Sequence, residues 1–144
     1  MTESLLSIGE IAERCGVSRD TIRHYERKGV ITNVVRDGSG YRRYSPAVVD
    51  RIRIIRRAIA IGFTLDELSR IFRQRASGDP PCRQVRELAS RKLADVEQQL
   101  AALQSLRAAL TKTIASWDAR LESTAAGEMA HLLDSLINQQ EEFS

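Results

Sequence analysis

The residues best placed to do chemistry in this chain are cations set among hydrogen-bonding groups at helical spacing. The run Arg19-Asp20-Thr21-Ile22-Arg23-His24-Tyr25-Glu26-Arg27-Lys28 spreads polar side chains over about three helical turns. Ile22 is expected to pack inward, which leaves Arg19, Thr21, Arg23, His24 and Tyr25 facing out. Such a helix fits a DNA major groove and offers donors to phosphates and base edges. A second basic group follows closely. Arg36, Arg42 and Arg43 stand with Tyr41 and Tyr44 around Asp37-Gly38-Ser39-Gly40, and extended residues about a glycine-rich tetrapeptide read as a hairpin. Arginines on a hairpin would hold the phosphate backbone as a second anchor. Alone, the helix would also suit an ordinary charged surface; the adjoining arginine wing favours nucleic acid. Catalysis has no counterpart here. The two histidines are far apart in sequence, no glycine-rich phosphate loop or nucleophile elbow occurs, and the carboxylates are scattered.

The elements that must position these groups are legible on either side. Ser7-Ile8-Gly9-Glu10 has the form of a capping box, so a helix should open near Ile8, with Ile8, Ile11 and Ala12 on its apolar face. Cys15-Gly16-Val17-Ser18 breaks it, and Ser18 is a good N-cap for the basic helix, Arg19 to about Lys28, which Gly29 ends. Two short helices joined by a turn containing glycine form the helix-turn-helix plan. Cys15, in that turn, reads as structural. Ser45-Pro46 should start a third helix running to about Ile61, with Val48, Val49, Ile52, Ile55 and Ile59 buried. Thr64-Leu65-Asp66-Glu67 is a second capping box, opening a helix to about Arg75. The head then spans residues 5–75, and Ser77-Gly78-Asp79-Pro80-Pro81 makes 76–81 a linker.

From Cys82 to about Glu122 there is neither proline nor glycine, which predicts a helical rod of roughly 60 Å. One heptad stripe is Ala89, Val96, Leu103, Leu110 and Trp117; the other is Leu93, Leu100, Arg107, Ile114 and Leu121. Only Arg107 interrupts the apolar pattern, so residues 82–122 should form a coiled-coil seam. The chain has no second helix of that length, so the partner helix is expected from another copy. Leu93, Val96, Leu100, Leu103, Leu110, Ile114, Trp117 and Leu121 would then carry dimerisation. After Ser123-Thr124-Ala125-Ala126-Gly127, Met129, Leu132, Leu133, Leu136 and Ile137 suggest a last amphipathic helix, within 123–138, before a polar tail, 139–144, expected to fray.

Composition agrees with this plan. Aromatic residues are 5% of the chain, too few for a large globular core, so its helices must bury one another or a second chain. The net charge of +3 conceals an asymmetry: residues 1–75 hold 15 Lys/Arg against 9 Asp/Glu, and residues 76–144 hold 7 against 10. A net +6 head, whose cations are all arginine but one, points to a polyanion. No apolar run is long enough to span a membrane, the N-terminus lacks signal-peptide character, and two cysteines cannot make a disulfide framework. A cytoplasmic protein is the expectation.

Ile8-Gly9-Glu10-Ile11-Ala12, Gly16-Val17-Ser18, Thr21-Ile22-Arg23-His24-Tyr25-Glu26-Arg27-Lys28-Gly29 and Gly40-Tyr41-Arg42-Arg43-Tyr44 together resemble the mercury-resistance regulator (MerR) family of transcriptional regulators, in particular its heavy-metal-responsive members. The resemblance covers residues 5 to about 122 and is most specific up to Leu68. It implies an all-α homodimer with a small β-hairpin wing, its long helices paired as an antiparallel coiled coil. It also implies binding to double-stranded promoter DNA between the −35 and −10 elements, regulation by DNA distortion, and RNA polymerase as a partner at the promoter. On the reading of the basic helix and hairpin, the DNA-binding residues would be Ser18, Arg19, Thr21, Arg23, His24, Tyr25, Arg36, Tyr41, Arg42, Arg43 and Tyr44.

Metal-sensing members often place a cysteine first in the long helix, and Cys82 matches it. Trp117 stands where a second cysteine would fall, and no cysteine follows Cys82. A soft or divalent metal ion would therefore meet an incomplete ligand set: Cys82, His131 and Met129, with Asp118, Glu122 and Glu128 nearby in sequence. Cys82 also falls on the core stripe, seven residues before Ala89, so it reads either as a core residue or as a ligand for a metal or soft electrophile. Trp117 reads as seam or as the lining of an apolar pocket for an organic ligand, and His131 as a surface group or a ligand. An architectural DNA-binding protein without an effector is the remaining alternative.

Overall fold

The structure, a computed structural model, describes residues 4–32 and 34–139. The chain divides between Lys92 and Leu93 into two compact units.

The first unit holds a strand β1 (Leu6–Ser7), helices α1 (Ile8–Cys15) and α2 (Arg19–Arg27), a hairpin β2 (Val34–Arg36) and β3 (Arg42–Tyr44), then α3 (Ala47–Ala60), α4 (Leu65–Ala76) and the start of α5 (Cys82–Glu122). α1 opens because Ser7 Oγ accepts the Glu10 backbone N–H at 3.2 Å. The cap is one-sided: the Glu10 carboxylate meets the Ser7 hydroxyl itself, not its backbone. Gly16 closes α1 at φ 65°, a left-handed conformation that costs glycine little. The Thr64–Glu67 box is reciprocal, with Glu67 N–H donating to Thr64 Oγ1 at 3.1 Å and Thr64 N–H to Glu67 Oε1 at 2.8 Å. At α3 the cap shifts by one: Ser45 Oγ accepts the Ala47 N–H and the helix begins after Pro46.

The wing has a strand more than a hairpin. β1 pairs antiparallel with β3 (Leu6 opposite Tyr44), giving the order β1-β3-β2. That pairing stitches the start of α1 to the wing. The core beneath is Ile11, Ile22, Val30, Tyr44, Ile52 and Ile55, all essentially without solvent contact. Ile59 is 40% exposed and so is not the buried residue the spacing suggested; at this turn of α3 it is Ala58 that packs against the core. The linker is tied down at both ends. Gln74 donates to Asp79 and bonds Gln84, and Pro81 is buried.

In the second unit α5 continues to Glu122, and none of its residues is buried. The expected amphipathic helix over 123–138 is not formed. Only Leu136–Gln139 is helical, as α6. His131 takes φ 51°, which breaks a helical repeat, and a turn hydrogen-bonds Ser135 N–H to the His131 carbonyl. From residue 140 the expected polar tail lies outside the described residues.

Candidate nucleic-acid interface

Ser18 begins α2 by accepting the Thr21 N–H at 3.0 Å, and its hydroxyl lies 2.8 Å from that of Thr21. Both hydroxyls, expected at DNA, are thus engaged in the cap. Ile22 is fully buried, so the helix is held by one face and presents Arg19, Arg23, His24 and Arg27 on the other. Tyr25 does not join them. It is 6% exposed and packs in the core, and burial pushes its phenol above the usual range. The largely apolar ring of a tyrosine can be drawn inward by the same contacts that hold Ile22.

The wing is organised by one carboxylate. Asp37 accepts the backbone N–H of Ser39 at 2.9 Å and of Tyr41 at 3.1 Å, and the Arg43 Nε–H at 3.1 Å. The Arg43 hydrogen bond is the main reason Asp37 stays below the usual carboxylate range, with burial opposing it and the two backbone donors assisting. Gly40, at φ 81°, lets the turn close. Tyr41 stands at the tip, 70% exposed. Tyr44 is the opposite case: it is fully buried, so its side chain cannot reach a duplex. Its hydroxyl donates to Glu26 of α2, and burial first, then that bond, raises its pKa. Arg42 Nη1 pairs with the other Glu26 oxygen at 3.2 Å. Glu26 therefore clamps wing to recognition helix from inside, a role that sequence reading missed because its partners lie 16 and 18 residues away.

Between these elements lies a cleft of about 480 Å³. Arg19 and Arg23 come from α2, Arg36, Gly40, Tyr41, Arg42 and Arg43 from the wing, and Ser7, Ile8 and Gly9 from the start of α1. Five guanidiniums and no carboxylate line it. Such a concavity concentrates positive potential and suits a phosphate backbone. The α1 contribution was not foreseen; its signal was a glycine inside a helix pattern.

The effector candidates fall in different places. Cys82 is exposed in the single chain, as are most apolar residues of the α5 stripes. It sits at the edge of an apolar cavity of about 640 Å³ walled by Ile54, Ile61, Phe63, Phe72, Val85 and Ala89, with Arg57 and Arg86 at the rim. Cys15 is buried, its thiol against the Val49 carbonyl and its pKa raised by burial. Trp117 is half-buried against its own C-terminal turn, its indole N–H donating to Ser135 Oγ at 3.1 Å. His131 is exposed and faces Asp134 at 3.1 Å. Among the described residues, no group of three or more His, Cys, Asp or Glu is placed to hold a metal ion. Along α5, Leu93, Val96, Leu100, Leu103, Leu110, Ile114 and Leu121 are each at least half exposed. Leu106, beside the Arg107 interruption, is exposed with them and extends the apolar surface.

A short helix pair, an arginine-lined wing clamped to the second helix, and a basic cleft between them define a winged helix-turn-helix DNA-binding protein. The chain belongs to the MerR family of transcriptional regulators: the MerR HTH family regulatory protein domain matches residues 6–75 and the MerR DNA-binding domain residues 49–113. It is 38% identical over 93 residues to the mercuric resistance operon regulatory protein of Bacillus cereus, covering 65% of this chain and 70% of that one. It is 33% identical over 127 residues to the protein of the same name from Pseudomonas fluorescens, covering 88% and 87%. A probable heavy metal-dependent transcriptional regulator of Haemophilus influenzae is 33% identical over 101 residues, covering 70% and 79%. Among solved structures, a transcription regulator from Ralstonia metallidurans in complex with lead(II) superposes with a TM-score of 0.71 at 26% identity, covering 91% of this chain and 98% of the other. The fold is shared with a MerR family regulator lacking the sensor domain, bound to promoter DNA (TM-score 0.54, 22% identity, 83% and 95% covered). No described helix is long and apolar enough to cross a membrane.

Proposed function

We propose that this regulator binds promoter DNA as a homodimer, reads an inverted repeat with two copies of α2, and acts by distorting the duplex between them. The observation that carries this is the arginine cleft between α2 and the wing, whose five guanidiniums suit a phosphate backbone and leave the exposed side of α2 for base edges. Arg23 and His24 are the base-edge candidates; Arg19, Arg36, Tyr41, Arg42 and Arg43 hold phosphates. Dimerisation is supported by the uncovered apolar seam of α5, which a lone chain leaves in water. The test is a binding titration against duplex at several salt concentrations. Affinity should fall linearly on a logarithmic salt plot, by about 0.9 of a slope unit per phosphate contact. A flat plot would overturn the reading.

We further propose that the regulator answers an effector at Cys82. Its exposure, its place at the start of α5, and the metal-related names of the relatives support this. The donor set of one chain does not make a soft-metal centre, since Cys15 is buried and no described cluster of three ligands exists. A soft ion would have to draw its remaining ligands from the second copy. In an antiparallel pair Cys82 of one chain comes beside the Trp117 region and C-terminal turn of the other, giving two equivalent sites per dimer.

A further inference from the structure

Gly9 lies within α1 at an ordinary helical φ, so the backbone does not require glycine there. Glycine inside a helix is roughly 0.5–1 kcal/mol less favourable than alanine. Space, then, is what the missing side chain provides. A Cβ built on Gly9 would stand 2.8 Å from Arg19 Nη2, closer than real Cβ atoms come, and in ordinary contact with its Cζ at 3.5 Å. The guanidinium of Arg19, the first residue of α2, reaches the gap left by Gly9 with its Nη2 nearest, on the wall of the arginine cleft.

Arg19 also differs from its four neighbours. Arg23 is paired with Asp20, Arg42 with Glu26 and Arg43 with Asp37, while Arg36 donates to the Gly40 carbonyl. The Arg19 side chain has no hydrogen bond or ion pair among the described residues. Its donors are open to an external phosphate, and its tip rests against Gly9.

We infer that Gly9 is a positioning residue for DNA binding: its absent Cβ seats the Arg19 guanidinium where it meets a phosphate of the duplex. This rests on the proposed DNA-binding role of the cleft. An alanine at position 9 would displace the guanidinium, because the far end of a flexible side chain yields more easily than backbone. The fold would survive, and the phosphate contact would not.

The experiment uses the full-length protein and a fluorescently labelled duplex of arbitrary sequence, long enough for both heads, since a phosphate contact does not depend on sequence. Binding is measured for the wild type, Gly9→Ala, Arg19→Ala and the double variant across a salt series, with Tm recorded for each. Arg19→Ala should weaken binding by about tenfold and make the logarithmic salt slope shallower by about one unit per chain. Gly9→Ala should reproduce both changes with a Tm no lower than wild type, and the double variant should be no weaker than Arg19→Ala alone. Wild-type affinity and slope in Gly9→Ala would overturn the inference. Additive losses in the double variant would also overturn it, by showing that Gly9 acts without Arg19. A lowered Tm in Gly9→Ala that Arg19→Ala restores confirms the contact, and one that persists overturns it. No effect of Arg19→Ala itself would overturn the DNA-binding role of this arginine, a failure distinguishable from that of Gly9.

Discussion

At the scale of single residues, the wing arginines are not equivalent. Arg43 is committed to the Asp37 turn and Arg42 to Glu26, so each holds the wing together and faces the cleft at once. Arg42→Ala should weaken binding to every duplex alike by about 1–3 kcal/mol, in part because it leaves the Glu26 charge uncompensated beside the phosphates. Electrophoretic mobility shifts on specific and scrambled duplexes would measure this, and a loss confined to one sequence would contradict it. Arg23→Ala should instead change which sequences are preferred, since it stands on the exposed face of α2 proposed to meet base edges. Cys82 supplies a separate test. Cys82→Ser should abolish a promoter response to soft metals or electrophiles while operator affinity stays unchanged; a response equal to wild type across a panel of both would remove this thiol from sensing.

At the scale of elements, the start of α4 anchors its neighbours. Asp66 pairs with Lys28 at the end of α2, and Glu67 with Lys92 of α5 at 2.8 Å. The Lys92 bond is the main reason Glu67 lies below the usual carboxylate range. A depressed folded-state pKa means that stabilisation is present above the unfolded carboxylate range and is lost as pH falls through the folded value. Glu67→Gln should therefore cost about 1 kcal/mol at neutral pH and less in acid, as thermal melts from pH 7 to 3 would show. An equal loss at every pH would mean that the charge is not responsible. These same elements show what could be read from sequence. α5 was legible because 41 residues pass without a helix breaker and the apolar stripes repeat. The recognition helix was legible through Ser18 and Ile22. Tyr25 and Tyr44 misled because a hydroxyl beside arginines looks like a DNA contact, whereas β1 pairing and core burial, both tertiary, turn the rings inward. Met129, Leu132, Leu133 and Leu136 have helical spacing, but a spacing rule carries no information that His131 adopts a left-handed backbone. The α1 wall of the cleft depended on a contact between Gly9 and a residue ten positions on, which no local pattern encodes.

At the scale of the whole molecule, reading an inverted repeat requires two heads held by one seam. Leu103 lies near the middle of that seam and is 63% exposed in the single chain. An aspartate there would bury a charge twice over in the paired rod, costing several kcal/mol, on the order of 3–5. Leu103→Asp should sediment as a monomer and lose specific binding while keeping a folded head; a dimer of undiminished stability would place the interface elsewhere. Selection from a random-sequence duplex pool by the full chain asks whether a two-fold dimer presents two copies of α2 to one duplex. The expected result is enrichment of an inverted repeat, with half-sites related by a dyad and lost together in Leu103→Asp. Enrichment of a single unrepeated site, or of no sequence at all, would contradict it.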